Sequence, residues 1–191
     1  TSDPNQKARI VCDNVLARDF EASRPLEKLV TDVSYVHHQE GRLLISVIKD
    51  LFDNSIIAYT VSKFNDCPLV TACLDQVFTE TWNPTQSCIL HSDQGFQYTH
   101  LSYIARLDEL GVTVSLSRKA NCYDNACCEN FFSHLKSECL ELNIPKNEKD
   151  LLDAIDDFIL FYNTDRPQRK LKGMTPLEFR ESYLRDTLLF R

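Results

Sequence analysis

Three acidic side chains stand where an acid is costly unless it has work to do. Asp32 interrupts the apolar, β-branched run Leu29-Val30-Thr31-Asp32-Val33-Ser34-Tyr35-Val36. A lone carboxylate buried there has to be neutralised, paired or bound to a cation. Asp93 follows directly on a short apolar run, in His91-Ser92-Asp93-Gln94-Gly95, and open sheets place their ligands at the carboxyl ends of strands. Glu129 falls early in a helical pattern. If the strands carrying Asp32 and leading to Asp93 are neighbours, all three acids meet at one sheet edge. Converging carboxylates repel unless hard cations sit between them. Two Mg²⁺ ions about 3.5–4 Å apart would then clamp both oxygens of an in-line phosphoryl displacement. Each acid also has an ordinary reading: a strand-end turn residue, a cap and a solvated helix residue. Lys136 weighs for the chemical one. It lies seven residues after Glu129, about 700° around an α-helix and so within roughly 20° of the glutamate's direction. Asn125 and Ser133 share that flank. A lysine so placed is suited to hold a phosphate backbone.

The elements that must position these residues are legible in the hydrophobic pattern. Residues 29–36, 43–48 and 56–61 read as strands. The short turns Gln39-Glu40-Gly41 and Asp53-Asn54-Ser55 between them make antiparallel neighbours. Val70, Cys73, Leu74, Val77 and Phe78 then fall on one helix face. A short strand over 88–91 follows, then a helix capped by Thr99 and ended by Gly111, and a fifth strand over 112–116. Asp124 is placed to cap a helix with Cys128, Phe131, Phe132, Leu135 and Cys139 on one face. Asn147 caps the next, and Thr175-Pro176-Leu177-Glu178 starts the last. Strands separated by helices pair in parallel through right-handed crossovers. The expectation is an α/β fold: a mixed five-stranded sheet, three antiparallel strands and then two parallel, flanked by helices. Residues 1–25 read as an extended N-terminal arm, 26–145 as the core and 146–191 as a helical extension of the same domain.

Composition excludes several classes. The 191 residues hold four glycines, which match neither the phosphate loop nor the dinucleotide turn. No apolar stretch reaches the roughly 18 residues of a membrane helix. The formal charge is −7, which argues against nucleic-acid binding by bulk charge but not against a local basic groove. Residues 161–191 hold seven basic and four acidic residues. Eight cysteines could form disulfides, or a zinc set from Cys122, Cys127 or Cys128, His134 and Cys139. There is no C-x-x-C pair, and the opening TSDPNQKARI is too polar for a secretory leader. Small buried hydrophobes in a reducing cytoplasm are the expectation.

The quoted stretches resemble a family. Thr31-Asp32-Val33-Ser34-Tyr35, residues 91–98 (HSDQGFQY), residues 117–126 (SRKANCYDNA) and residues 129–136 (ENFFSHLK) are similar to bacterial insertion-sequence transposases of the retroviral-integrase superfamily. So are Tyr162-Asn163-Thr164-Asp165-Arg166-Pro167 and Met174-Thr175-Pro176-Leu177-Glu178-Phe179. The 35 residues between Asp93 and Glu129 are the spacing that names the family's D,D-35-E triad. The resemblance implies a ribonuclease-H-like catalytic core, two Mg²⁺ or Mn²⁺ ions held by Asp32, Asp93 and Glu129, and DNA as substrate. It implies cleavage at element ends and joining of a 3′-OH to target DNA. Upstream helix-turn-helix segments, a homo-oligomer on DNA, no membrane, and a bacterial cytoplasm or nucleoid setting go with it. Four positions depart from the pattern: Leu29 stands where Trp is common, Gln168 where His is, and Ala120 and Lys172 where Gly is.

On this reading Arg118, Lys119, Asn121 and Lys136 are candidate DNA contacts, with Arg166, Arg169, Lys170 and Lys172 as a later basic cluster. His91 and His134 are tempting general bases, but with metals present no side-chain base is required. Tyr98 and Tyr123 are candidates to stack on a base, against ordinary packing. The alternatives are a ribonuclease-H-type nuclease, which the spacing disfavours, and a non-catalytic DNA-binding or inhibitory fragment.

Overall fold

The computed structural model describes residues 13–80, 82–117 and 126–189. Three strands come first: β1 (Lys28–His38), β2 (Gly41–Asp50) and β3 (Ile56–Ser62). Then α1 (Cys67–Val77), β4 (Ile89–Ser92), α2 (Leu101–Glu109) and β5 (Thr113–Leu116) alternate. Three helices follow: α3 (Ala126–His134), α4 (Glu148–Thr164) and α5 (Pro176–Leu189). The sheet order is β3-β2-β1-β4-β5. β1, β2 and β3 pair antiparallel, and β4 and β5 join β1 in parallel. This is the expected mixed sheet.

The period-2 pattern of the central strands splits the core in two. Val30, Val36, Ile45 and Val47 point to one face, under Cys128 and Phe131 of α3 and Ile155, Phe158 and Tyr162 of α4. Leu29, Ile48 and Leu90 point to the other, under α1 and α2. Residues 13–25 form no regular element. They dock, however: Leu16 is buried in the first core, and its N–H donates to the Ser115 hydroxyl at 2.9 Å.

Most of the local signals hold. Asn147 caps α4, accepting from the Asp150 N–H at 2.9 Å. Thr175 and Glu178 form a reciprocal capping box at the start of α5. Two expectations need correction. The cap of α2 is His100, whose ring nitrogen accepts from the Ser102 N–H, because the Thr99 hydroxyl instead donates back to the carbonyls of Gly95 and Phe96. The helix after α3 is not uniformly α: Leu135–Leu140 winds as a π-helical turn, with the Glu141 N–H reaching five residues back to the Lys136 carbonyl. The Asp124 cap lies outside the described residues.

Candidate active site

β1 is the seam of the sheet, antiparallel to β2 on one side and parallel to β4 on the other. Asp32 sits on it opposite Val47, on the face that α3 covers. Asp93 lies one residue beyond β4 and Glu129 in the first turn of α3. Both Asp93 and Glu129 are exposed, whereas Asp32 is half-buried. The carboxyl of Asp32 is pushed up to about 7, first by burial and then by the charges of Asp93 and Glu129, against the Val33 N–H and Lys136. The acid in the strand thus feels both of its expected partners: the fold brings them to one edge.

Two contacts that sequence reasoning missed hold this arrangement. The Gly95 N–H donates to Asp93 Oδ1 at 2.8 Å. A Cβ on Gly95 would lie 2.9 Å from that oxygen and 3.0 Å from Gln97 Oε1, so only glycine fits this cradle without moving the acid. Lys136 donates to the Ser34 hydroxyl at 2.8 Å. Ser34 shares a strand face with Asp32, two residues on. Lys136 therefore reaches the edge where Asp32 lies, but from a π-helical turn rather than from the α-helical wheel used to place it. Such turns recur at functional sites.

Among the described residues no three His, Cys, Asp or Glu side chains are closed into a metal-sized cage. Bare carboxylates repel, and this set offers hard oxygen donors with a single lysine as internal countercharge. That chemistry fits a divalent cation whose remaining ligands are water and phosphate. The described members of the zinc set are not gathered: Cys139 Sγ donates to the Ala154 carbonyl, His134 faces Glu138 and Arg166, and Cys122 lies outside the described residues. None of the six described cysteines forms a disulfide.

The other expected residues divide. Arg118, Lys119, Asn121 and Tyr123 lie outside the described residues. Arg166 is taken: it grips Glu138 with two nitrogens, at 2.7 and 3.0 Å, and lies over the Tyr162 ring. Arg169, Lys170 and Lys172 are exposed. Lys172 has φ +59°, a left-handed backbone at one of the positions where family members often carry glycine. His91 is buried, with Nδ1 against the Ser115 hydroxyl at 2.8 Å. Tyr98 does not stack on a base: it is fully buried, edge-on to Tyr103, with its hydroxyl near that of Thr31.

Residues 22–122 match the integrase core domain family, and residues 129–184 match a second description of the same core. The chain belongs to the integrase core domain family. This integrase core is 46% identical over 167 residues to the putative transposase InsK of insertion sequence element IS150 from Escherichia coli, covering 87% of this chain and 59% of InsK. It is 40% identical to an uncharacterized transposase-like protein of Haemophilus influenzae, covering 91% of this chain and 80% of that one. The core thus spans little more than half the length of InsK. Among solved structures it resembles the HTLV-2 integrase catalytic core domain in complex with magnesium, with TM-score 0.64 and 15% identity over 83% of this chain and 98% of that one. It also resembles a chain of the simian T-cell lymphotropic virus intasome, with TM-score 0.69 and 13% identity over 84% of this chain and 56% of that one. These likenesses give the fold, the ribonuclease-H-like core expected from the sequence.

Proposed function

We propose that this chain is the catalytic core of a transposase, cutting DNA at element ends and joining the freed 3′-OH to a target phosphodiester. The observation that carries the reading is the half-buried Asp32 at the seam of the sheet, close enough to Asp93 and Glu129 that both charges raise its carboxyl. Asp32 and Asp93 would hold one Mg²⁺ or Mn²⁺, and Asp32 and Glu129 the other. When bound, such ions lower the pKa of the attacking hydroxyl and stabilise the leaving oxygen.

The chain's own residues do the rest. Gly95 fixes the Asp93 carboxylate, and the β1–β4 register fixes Asp93 relative to Asp32. Lys136, held by Ser34, faces a neighbouring phosphate and supplies position rather than sequence. His91 is packed below the edge and His134 is held by Glu138 and Arg166, so neither serves as the base. Element recognition belongs to helix-turn-helix segments of a longer protein, and joining two ends calls for at least two copies on DNA. Among the described residues no helix is long and apolar enough to cross a membrane.

The test is Asp93→Asn. Metal-dependent plasmid nicking should fall by about a thousandfold, the loss of several kcal/mol of transition-state stabilisation. Mn²⁺ binding followed by electron paramagnetic resonance should weaken while the melting temperature holds. Full activity with unchanged Mn²⁺ binding would overturn the assignment. No metal-dependent nicking by the wild-type chain would favour the non-catalytic fragment.

A further inference from the structure

The first turn of α3 separates two environments. On one side Glu129 faces the acids. On the other, Asn130 lines a cleft of about 550 Å³ between α3, the β2–β3 turn and the segment after α4. Among the described residues the walls of this cleft carry four cations and no carboxylate, in a chain with a net charge of −7. Arg166 is one of the four, but Glu138 already neutralises it. Arg169 and Lys170 stand exposed at the rim, with Lys170 near the Phe20 carbonyl at 3.5 Å.

The fourth cation is unusual. Lys49 is 4% exposed, on the sheet face that α3 covers, paired opposite Val30. Its ammonium donates to the Cys127 carbonyl at 3.3 Å and the Tyr162 hydroxyl at 3.1 Å, and it lies over the Tyr162 ring. An ammonium has three N–H groups, and no carboxylate among the described residues pairs with this one. A buried charge is normally paired. A second group in the same wall has a donor without a partner: Gln168 Oε1 accepts from Asn54 at 3.1 Å, but Gln168 Nε2 is buried with no partner. A buried ammonium with no carboxylate partner and an orphaned amide donor therefore line a cleft whose described walls carry no negative charge.

We propose that this cleft is an anion subsite that holds a phosphodiester of a DNA strand on the far flank of α3 from the metal-binding acids. Lys49 and Gln168 Nε2 are the inner donors, and Arg169 and Lys170 hold the backbone at the mouth. Lys49 holds the Cys127 carbonyl at 3.3 Å, two residues before Glu129, so the subsite lies within a few nucleotides of the cleavage edge. A strand crossing α3 would meet metal ions on one side and this cleft on the other. The inference rests on DNA being the substrate. It adds where the strand runs.

The test is a titration of fluorescent DNA by the 191-residue chain, in chelator, over a series of salt concentrations. In Arg169→Ala/Lys170→Ala the log–log salt slope should become shallower by nearly two, about 0.9 for each phosphate no longer neutralised. Gln168→Glu keeps the side chain's size but sets a carboxylate in the wall that Lys49 also lines, and should weaken binding about tenfold, or about 1.4 kcal/mol. Lys49→Met should do the same if it folds; Gln168→Glu carries the test if it does not. Equal affinities and slopes in wild type, the double variant and Gln168→Glu would overturn the proposal, as would no DNA binding by the wild type at low salt. Melting in inorganic phosphate against chloride separates the sources. Stabilisation that disappears in Gln168→Glu while its DNA affinity is unchanged would mark a pocket for free phosphate, and would overturn the DNA assignment. Chelator keeps the two readings apart. Unchanged slopes beside an inactive Asp93→Asn remove the cleft and leave the chemistry. Altered slopes beside a fully active Asp93→Asn do the reverse.

Discussion

Two acid clusters border the antiparallel pair β1 and β2 and meet opposite fates. Asp50, at the end of β2, and Asp53, in the turn after it, have fully buried side chains. Asp50 accepts from the N–H groups of Phe52 and Leu26, and Asp53 from the N–H and hydroxyl of Ser55. Arg180 of α5 bridges both acids. Asp32, by contrast, accepts one backbone N–H, from Val33 at 2.8 Å, and its nearest acids are like-charged neighbours. Burial raises the pKa in both clusters, Asp50 to about 6 and Asp32 to about 7. The difference lies in who supplies the cation. At Asp50 and Asp53 the protein supplies its own, and the acids become a clamp that ties α5 to the sheet. At Asp32 most of the compensation is left to come from outside, which is what a metal site requires.

The comparison breaks most visibly at Arg180. Arg180→Met leaves two buried acids without a cation and should cost about 3–5 kcal/mol in urea unfolding. The sign with pH follows from the raised Asp50 pKa. The folded state holds its proton to higher pH than the unfolded state, so charging destabilises progressively as pH rises past the unfolded value. Without Arg180 the Asp50 pKa rises further, and the deficit should grow from pH 5 to pH 8. A deficit independent of pH would mean that Arg180 acts by packing alone.

At the open cluster a large effect should come even without any change of charge. Gly95→Ala forces Asp93 Oδ1 or Gln97 to move, and displacing a reacting group by about 1 Å can cost about 100-fold. Nicking should fall by about 10- to 100-fold, with the melting temperature within a degree or two. Wild-type nicking would show that Asp93 tolerates the shift.

Asp32→Asn sharpens the contrast from the stability side. It removes a charge the apo fold compensates poorly, so the metal-free variant should melt higher than wild type at pH 8. The gain should shrink as pH falls and wild-type Asp32 takes up its proton, vanishing below about pH 3, where both folded and unfolded acids are protonated. A gain that persists at about pH 3 would assign it to something other than charge.

The reach of sequence reasoning follows the same division. The triad was legible because it depends on residue type and spacing: an acid inside an apolar strand, another just past a strand end, and 35 residues to the third. The strands were legible because each carries a clear apolar pattern. The partners of those residues were not. Ser34 meets Lys136, and Glu138 captures Arg166, through contacts across the fold that no local pattern encodes. That is why Arg166 read as a free DNA contact. The π-helical turn was invisible because its residues suit an α-helix equally well, and Lys49 falls just past the apolar run 43–48, where nothing nearby in the sequence marks it as buried. Gln168 was noticed only as a departure from the family pattern, without the orphaned donor that gives it meaning.

Two smaller effects complete the set. Lys136→Ala should weaken DNA binding alike across sequences and make the salt slope shallower by about 0.9. It should cost about 1 kcal/mol of stability, through the missing bond to Ser34. Lines that overlay the wild type would leave Lys136 outside the DNA path. Lys172→Gly should raise stability by about 1 kcal/mol, since a side chain in the left-handed region carries a penalty that glycine escapes. A loss of stability would mean that the lysine makes compensating contacts.

The parallel seam has one more implication. Asp32 and Asp93 are set against each other by only three residue pairs, Lys28 with Ile89, Leu29 with Leu90 and Val30 with His91, although some sixty residues of chain run between the two acids. The path between them crosses an exposed turn at 83–85, where the backbone holds nothing of the sheet. A chain severed at that turn would leave Asp32 on one fragment and both Asp93 and Glu129 on the other. Reassembly would then be reported by the chemistry itself, since neither fragment alone carries a complete set of acids.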